Sequence, residues 1–414
     1  MNKYTVLIFA VIIIGYLIEL TVELLNLSRL DPVLPREFEE TFDQEHYHRS
    51  QKYTKVKTRF GLIQNAVSAA VLILFIFSGG FSFVDNIARA VSSNDIAAGL
   101  IFAVIFLFFS QLLSLPFSFY NTFVIEEKFG FNRTDVRTFY MDAIKTFVLS
   151  VVFGCPILAA IIYFFQSTGA AAWLYCWAAL IVYEIFVLFI APVVIMPLFN
   201  RFEPLEDQEL KKLIEDYARK QNFALGGIYQ MDGSKRSSKS NAFFTGFGRF
   251  RKIALFDTLI NNHSKNELLA ILAHEIGHYK FRHIFIMMAV SVVTNGIMFY
   301  LLSFFMNNRL LFEAFKMNNV SIYASLLLFS FIYMPLNALF SIFLHWLSRK
   351  NEYQADCFAV ESTGHKNIFI NALKKLSTDN MSNLTPHPLK VFLEYTHPPV
   401  LARIRAINEL EIEK

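Results

Sequence analysis

The stretch AAGLIFAVIFLFFSQLLSLPFSF, residues 97–119, carries no charged side chain. An apolar run of roughly 18 or more residues is long enough to cross the hydrocarbon core of a bilayer as a helix. Six further runs of this kind lie near residues 5–26, 61–84, 146–166, 172–197, 284–306 and 322–347. The sequence therefore predicts a mainly α-helical, multi-pass membrane protein with seven transmembrane helices.

The composition agrees with a chain whose main solvent is lipid. It is 55% hydrophobic and only 17% charged, whereas soluble proteins are roughly 25% charged. The net charge of +4 is too small to indicate a nucleic-acid partner. Cys155, Cys176 and Cys357 form no CxxC pair, so neither a disulfide framework nor a thiolate zinc site is indicated. The predicted partner is the lipid bilayer.

The charges of the loops predict the orientation of the chain. The loop after the first span and the loop after the third are rich in Lys and Arg, whereas the three alternate loops carry few. Lys and Arg are retained on the cytoplasmic side of a membrane. We therefore expect the N-terminus outside and the C-terminus inside, with residues 198–283 and the tail from 348 in the cytoplasm.

Five polar residues interrupt the predicted spans: Glu19, Glu23, Glu184, Asn295 and Asn337. Such side chains usually face a bundle interior or a water-filled cavity. For Glu19 and Glu23, a position at the membrane interface is an equally good interpretation. The other three indicate an interior that lipid does not fill.

Residues 264–280, SKNELLAILAHEIGHYK, read as a helix that begins with a capping box formed by Ser264 and Glu267. His274 and His278 then lie one turn apart on the same face. Two imidazole nitrogens so placed can bind one Zn²⁺ ion at about 2.0–2.1 Å, with Glu275 as the general base toward the attacking water. The alternative is a bare histidine pair at the membrane boundary.

A third protein ligand is needed to complete a catalytic zinc site. The extended motif HExxHxxGxxH fails, because Phe281 replaces its glycine, Ile284 replaces its third histidine, and His283 is one residue out of register. The segment SRKNEYQADCFA, residues 348–359, offers Glu352 as the ligand and, four residues on, Asp356 as an acceptor for the outward N–H of a ligating histidine.

Taken alone, these two acids would more readily be interpreted as a solvated helix face. The membrane topology changes that interpretation. The first motif directly precedes span 6 and the second directly follows span 7, so an antiparallel pair of spans returns them to the same membrane face. The sequence predicts one catalytic Zn²⁺ per chain at the cytoplasmic mouth of a helical bundle.

Two further segments are candidates for binding a substrate. SNAFFTGFGRFRKIALFDTL, residues 240–259, predicts a β-hairpin, whose edge could pair with an extended peptide or could merely cap the domain. THPPVLARIRAI, residues 396–407, places His397 before a Pro-Pro turn and Arg403 on a short helix. A histidine in such a place can donate a hydrogen bond to the oxyanion of a tetrahedral intermediate.

With HEIGH, NEYQAD, SNAFF, THPP and FVIEEKFGFNR at 123–133 placed around seven spans, the sequence resembles the type I CAAX prenyl protease family of integral-membrane zinc endopeptidases. The resemblance covers essentially the whole chain. It implies seven helices in a barrel around a water-filled chamber, closed by a cytoplasmic catalytic domain, in which prenylated C-terminal peptides are cut. A peptide or lipidated protein is therefore the expected substrate.

The resemblance also implies roles for individual residues. The zinc ligands would be His274, His278 and Glu352, with Glu275 as the base and Asp356 as the partner of a ligating histidine. The substrate side would comprise the pairing edge at Asn241, Ala242 and Phe243, together with His397 and Arg403, which would contact the substrate or the developing oxyanion.

The expected organisation has four parts: transmembrane helices 1–5 with their loops at 1–197, a catalytic domain at 198–283, helices 6–7 at 284–347, and a C-terminal catalytic segment at 348–414. The predicted function is hydrolysis of peptide bonds near the C-terminus of prenylated or other hydrophobic peptides, in a bacterial inner membrane or an ER-type membrane. The alternatives are a transporter or channel with a structural zinc site, and a general quality-control protease for membrane proteins.

Overall fold

A computed structural model describes residues 2–245 and 252–411. The chain up to residue 199 forms seven α-helices: Lys3–Ser28 (α1), Gln44–Phe77 (α2), Gly80–Val91 (α3), Asp95–Tyr120 (α4), Val136–Ser167 (α5), Ala172–Ile190 (α6) and Met196–Phe199 (α7). Short π-helical stretches extend α4 through Asn121–Glu126 and join α6 to α7 through Ala191–Ile195.

The described part of the rest of the chain adds nine helices and four strands. The helices are Gln208–Lys220 (α8), Asp257–Asn262 (α9), Lys265–Lys280 (α10), His283–Phe305 (α11), Arg309–Ala314 (α12), Ile322–Thr363 (α13), Lys366–Asp379 (α14), Pro388–Glu394 (α15) and Val400–Glu409 (α16). The strands are Phe202–Pro204 (β1), Gly227–Met231 (β2), Ala242–Thr245 (β3) and Lys252–Phe256 (β4).

Seven helical segments of the described chain are long and apolar enough to cross a membrane, which confirms the predicted spans. They comprise α1, α2, α4 with its π-helical extension, α5, α6 with α7, α11 and α13. Many apolar side chains on these helices are not covered by other parts of the protein; Val182, for example, is 68% exposed. That surface suits contact with hydrocarbon.

Two helices depart most from the boundaries that the apolar pattern predicted. The second span was expected at 61–84, but α2 ends at Phe77, because Gly79 adopts φ 75° and turns the chain into α3. Helix α2 also begins 17 residues before the expected start, at Gln44, where the Asp43 side chain accepts a hydrogen bond from the His46 N–H. Helix α13 runs beyond the expected end at 347 to Thr363.

Apolar cores lie at both ends of the bundle. At one end, α1, α3, α4, α12 and α13 pack around Phe81, Phe312 and Phe315. At the other end, residues of the loop between α1 and α2, such as Phe38, pack with residues of α10, α13, α14 and α16. The loop between the first two spans therefore lies on the same side as the non-membrane part of the protein.

The four strands form one sheet in the order β1-β2-β4-β3, in which β2 and β4 are parallel and the other pairs antiparallel. The two strands of the predicted hairpin are confirmed, since Phe243 pairs with Ala254. Its connecting turn, at 246–251, lies outside the described residues. The sequence did not predict β1 and β2. Strand β3 lies at an edge of the sheet as described.

Helix α10 packs closely against α13 at Gly277. The predicted capping box is present at its start, with the Ser264 N–H donating to Glu267 Oε2 at 2.8 Å. At its other end, a Cβ atom on Gly277 would lie 3.0 Å from the Cα atom of Ala355 and 3.2 Å from the Phe358 ring. Glycine is thus required for this approach of the two backbones.

We predict that Gly277→Val lowers the unfolding temperature of the purified protein. Overpacking a close-packed contact typically costs about 1–3 kcal/mol, and here one of the atoms that must move belongs to the α13 backbone. Gly154→Val is the matched control, because a Cβ atom at Gly154 would meet nothing within 4 Å. Equal unfolding temperatures for the two variants would contradict this packing constraint.

Candidate metal centre

Two helices bring three candidate metal ligands together. His274 and His278 come from α10 and Glu352 from α13, and one ligand atom from each lies within 4.8 Å of the others. His274 Nε2 is 3.2 Å from His278 Nε2 and 3.5 Å from Glu352 Oε2. His278 Nε2 is 3.3 Å from Glu352 Oε1. The two imidazoles and the carboxylate therefore point at one position.

These residues fit a zinc ion by two observations. Glu352 is 3% exposed, yet its Oε2 atom accepts no hydrogen bond, and a buried carboxylate oxygen without a partner is unfavourable. The donor set of two imidazole nitrogens and one carboxylate is that of known catalytic zinc sites, which keep a fourth position open. A divalent cation would satisfy the unpartnered oxygen.

Asp356 and Arg403 support the first histidine. Asp356 Oδ1 lies 2.8 Å from His274 Nδ1, and Arg403 Nε donates to Asp356 Oδ2 at 2.8 Å. With its Nδ1 proton bound to Asp356, His274 directs the lone pair of Nε2 toward Glu352. The predicted contact between Asp356 and a histidine is present, whereas the sequence did not reveal that Arg403 binds Asp356.

His283 and Gln354 support the second histidine. The sequence pattern did not predict this role for either residue. His278 Nδ1 is 2.9 Å from His283 Nδ1, and His283 Nε2 is 3.0 Å from Gln354 Oε1. Because an amide oxygen only accepts, His283 donates through Nε2 and accepts at Nδ1 from His278. His278 is thereby left with the lone pair of Nε2 facing Glu352.

The backbone explains why His283 was missed. Arg282 adopts φ 57° between α10 and α11 and folds the next residue back toward the histidine pair. A search for a third ligand at a fixed spacing does not detect this turn. The useful signal would have been a third histidine at a helix junction, available as a hydrogen-bond partner rather than as a ligand.

The electrostatic environment favours a cation. Burial by itself lowers the pKa of His274, but the neighbouring carboxylates of Asp356 and Glu352 outweigh it and raise this pKa to about 9. Burial also opposes the charge of Arg403, but Asp356 raises the pKa of its guanidinium above its usual range. Burial raises the pKa of Glu275, which moves this carboxyl toward the range useful for proton transfer at neutral pH.

His397 lies at the open side of the centre. Its Nε2 atom is 3.3 Å from Glu352 Oε1, although its side chain is 66% exposed. His397 and Arg403 both line a cleft of about 470 Å³. His397 therefore lies next to the candidate metal ligands, and its side chain remains accessible to solvent.

The residues of the predicted substrate edge lie beside α10. Asn241 directly precedes β3, and its carbonyl accepts a hydrogen bond from the Phe256 N–H at 3.1 Å. Ala242 packs against the same apolar core as Leu268 and Ile271 of α10. Phe243 is half-buried, with its ring edge-on to that of Phe256.

Most of the polar residues in the spans have partners on other helices. Asn295 Nδ2 donates to Glu184 Oε1 at 2.6 Å, which joins α11 to α6. Glu23 binds Lys390 of α15 at 2.6 Å, and Glu19 accepts a hydrogen bond from Asn65 of α2. Asn337 is exposed. Glu19 and Glu23 thus make polar contacts within the protein.

Comparison with known proteins gives matches along the whole fold. Residues 23–201 match the family model of the CAAX prenyl protease N-terminal region with five membrane helices, and residues 204–411 match that of peptidase family M48. The chain is 35% identical over 405 residues to the CAAX prenyl protease 1 homolog of Arabidopsis thaliana, an alignment that covers 96% of this chain and 95% of that protein.

Two yeast proteins are similar to the same extent. The CAAX prenyl protease 1 of Saccharomyces cerevisiae is 33% identical over an alignment of 416 residues, gaps included. This alignment covers 94% of this chain and 91% of that protein. The crystal structure of S. mikatae Ste24p matches with a TM-score of 0.94 at 32% identity, covering 99% of this chain and 100% of that one. The chain therefore belongs to the CAAX prenyl protease family and is a membrane metalloprotease whose second half is an M48 peptidase.

Proposed function

We propose that the protein is a zinc endopeptidase that cleaves near the C-terminus of prenylated or similarly hydrophobic peptides. The observation that carries the proposal is the convergence of His274, His278 and Glu352 beside Glu275, with a buried carboxylate oxygen left without a hydrogen bond. The substrate class is supported by relatives that are named CAAX prenyl proteases.

His274, His278 and Glu352 would hold one Zn²⁺ ion per chain. When bound, the ion would polarise the scissile carbonyl and lower the pKa of water. Asp356 and His283 each bind the outward nitrogen of one histidine and so fix both rings with Nε2 directed at the shared position. Arg403 compensates the buried charge of Asp356.

Glu275 is assigned the proton transfers. As water attacks the carbonyl carbon of the peptide, Glu275 takes the proton of the water; when the C–N bond breaks, it passes that proton to the leaving amine. Burial raises the pKa of this carboxyl, which moves it toward the range in which a carboxyl can both take up and release a proton during turnover. His397, exposed at the cleft, donates an N–H to the developing oxyanion, and Arg403 lines the same cleft.

The catalytic unit is assigned to two segments, 198–283 and 348–414, joined by the α11–α13 region. Strand β3, with Asn241 before it and Ala242 and Phe243 within it, would pair with the substrate backbone, because an edge strand offers unpaired N–H and C=O groups. The basic loops after spans 1 and 3 support a cytoplasmic position for this unit.

The spans are assigned to a chamber that admits lipidated peptides. The pair of Glu184 and Asn295 joins two of them through polar side chains at membrane depth, as expected where water rather than lipid fills the interior. A prenyl group would lie against the phenylalanine-rich helices while the peptide pairs with β3. The surrounding helices would keep folded domains away from the active site.

We predict that Glu275→Gln keeps the metal content and unfolding temperature but lowers the turnover number by roughly 10²–10⁴-fold, because the amide cannot accept the proton of the attacking water. Glu361→Gln, on an exposed turn of α13, is the control and should retain normal turnover. Near-normal turnover in Glu275→Gln would exclude the proposed base.

We also predict preferential cleavage of a farnesylated CAAX peptide over its unprenylated twin, with casein spared. Product analysis by mass spectrometry measures both the rate and the position of each cut. The reason is access, since the substrate must reach a site walled by helices. Rapid digestion of casein at many internal sites, without activity on either peptide, would mean that the site is open to soluble chains.

A further inference from the structure

We propose that a groove between α1 and α2 binds the phosphate of an anionic phospholipid. The α1–α2 groove lies at the end of the bundle that carries the metal-binding residues, and it encloses about 430 Å³. Its walls are formed by Leu27, Leu30, Pro32, His48, Gln51, Lys52 and Lys55.

The walls of the groove are fixed by hydrogen bonds between the loop after α1 and the start of α2. The Tyr47 hydroxyl donates to the carbonyl of Asp31 at 2.9 Å, and Gln44 Nε2 donates to the carbonyl of Pro32 at 2.9 Å. Tyr47 is fully buried. The groove is therefore a preformed feature of the fold.

One face of α2 makes the groove basic. His48 and Lys52 are four residues apart, as are Gln51 and Lys55, and the two pairs interleave on one face of the helix. Lys52 and Lys55 are exposed, and neither makes an ion pair within the described residues. By contrast, Lys57, outside the groove, binds Glu126 at 3.0 Å.

Gln51 provides an independent sign that a polar ligand is missing. The residue is 8% exposed, and neither its Nε2 nor its Oε1 atom has a hydrogen-bond partner. A buried amide with both ends unpartnered is unfavourable. The phosphate monoester of phosphatidic acid offers acceptor oxygens for the amide N–H groups, and its P–OH group offers a donor for the amide oxygen.

The surroundings favour a lipid over a soluble phosphate. Leu27 belongs to α1, a membrane-spanning helix, and Leu30 and Pro32 continue its apolar wall beyond the helix end. A free phosphate ion would use the two lysines but would leave that wall uncovered. A phospholipid would cover it with its glycerol and the first acyl carbons while Lys52 and Lys55 reach its headgroup.

Native mass spectrometry of the full chain in detergent tests the proposal, with phosphatidic acid, phosphatidylcholine and inorganic phosphate as separate probes. We expect phosphatidic acid to be retained over phosphatidylcholine. Lys52→Gln/Lys55→Gln should weaken its binding about 30-fold, since each lysine near an anionic headgroup contributes about a factor of five. The charge-matched control, Lys128→Gln/Arg133→Gln, removes two exposed cations outside the groove and should bind normally.

Gln51→Leu provides a second readout. It should weaken the binding of phosphatidic acid and, because it removes an unpartnered buried amide, raise the unfolding temperature in lipid-free detergent. Equal retention of phosphatidic acid by the wild type and both groove variants would overturn the proposal, as would equal retention of the two lipids. Binding of inorganic phosphate without phosphatidic acid would overturn the lipid assignment. None of these readouts depends on peptide hydrolysis.

Discussion

The close contact between α10 and α13 at Gly277 and Ala355 is the constraint on which the candidate active site depends. On α10, His274 and His278 lie on either side of Gly277 in the sequence. On α13, Glu352 lies one turn before Ala355. Because α13 continues unbroken from the membrane to Thr363, the position of Glu352 is set by the packing of the whole bundle. A metal-binding carboxylate on a separate loop would lack that support.

Charge compensation is the second requirement. Glu352 and Asp356 are both buried, and a buried carboxylate is tolerated only with partners. Arg403 and His274 satisfy Asp356, while the two histidines and Arg403 surround Glu352. Each histidine is held through its second nitrogen, one by Asp356 and the other by His283. The site is thus a network in which the position of every ligand has a separate structural cause.

Local pattern was sufficient to predict the spans and the convergence of the three candidate metal ligands. Apolar length identifies a lipid-exposed helix, and the helical spacing of His274 and His278, combined with the order of spans 6 and 7, brought Glu352 to them. Family membership then removed the support for a transporter. The ends of α2 and α13 were missed because hydropathy detects only the apolar part of a helix, and His283 because its place depends on the turn at Arg282.

The most direct test of the central claim is the zinc content of purified wild-type and Glu352→Ala proteins after dialysis, measured by inductively coupled plasma mass spectrometry. Cys357→Ala is the control, since Cys357 lies on the same helix but outside the group of ligand atoms. We predict about one Zn²⁺ ion per chain in the wild type and the control, and its loss from folded Glu352→Ala, in which only two of the three protein ligands remain. Full zinc content in folded Glu352→Ala would contradict the account.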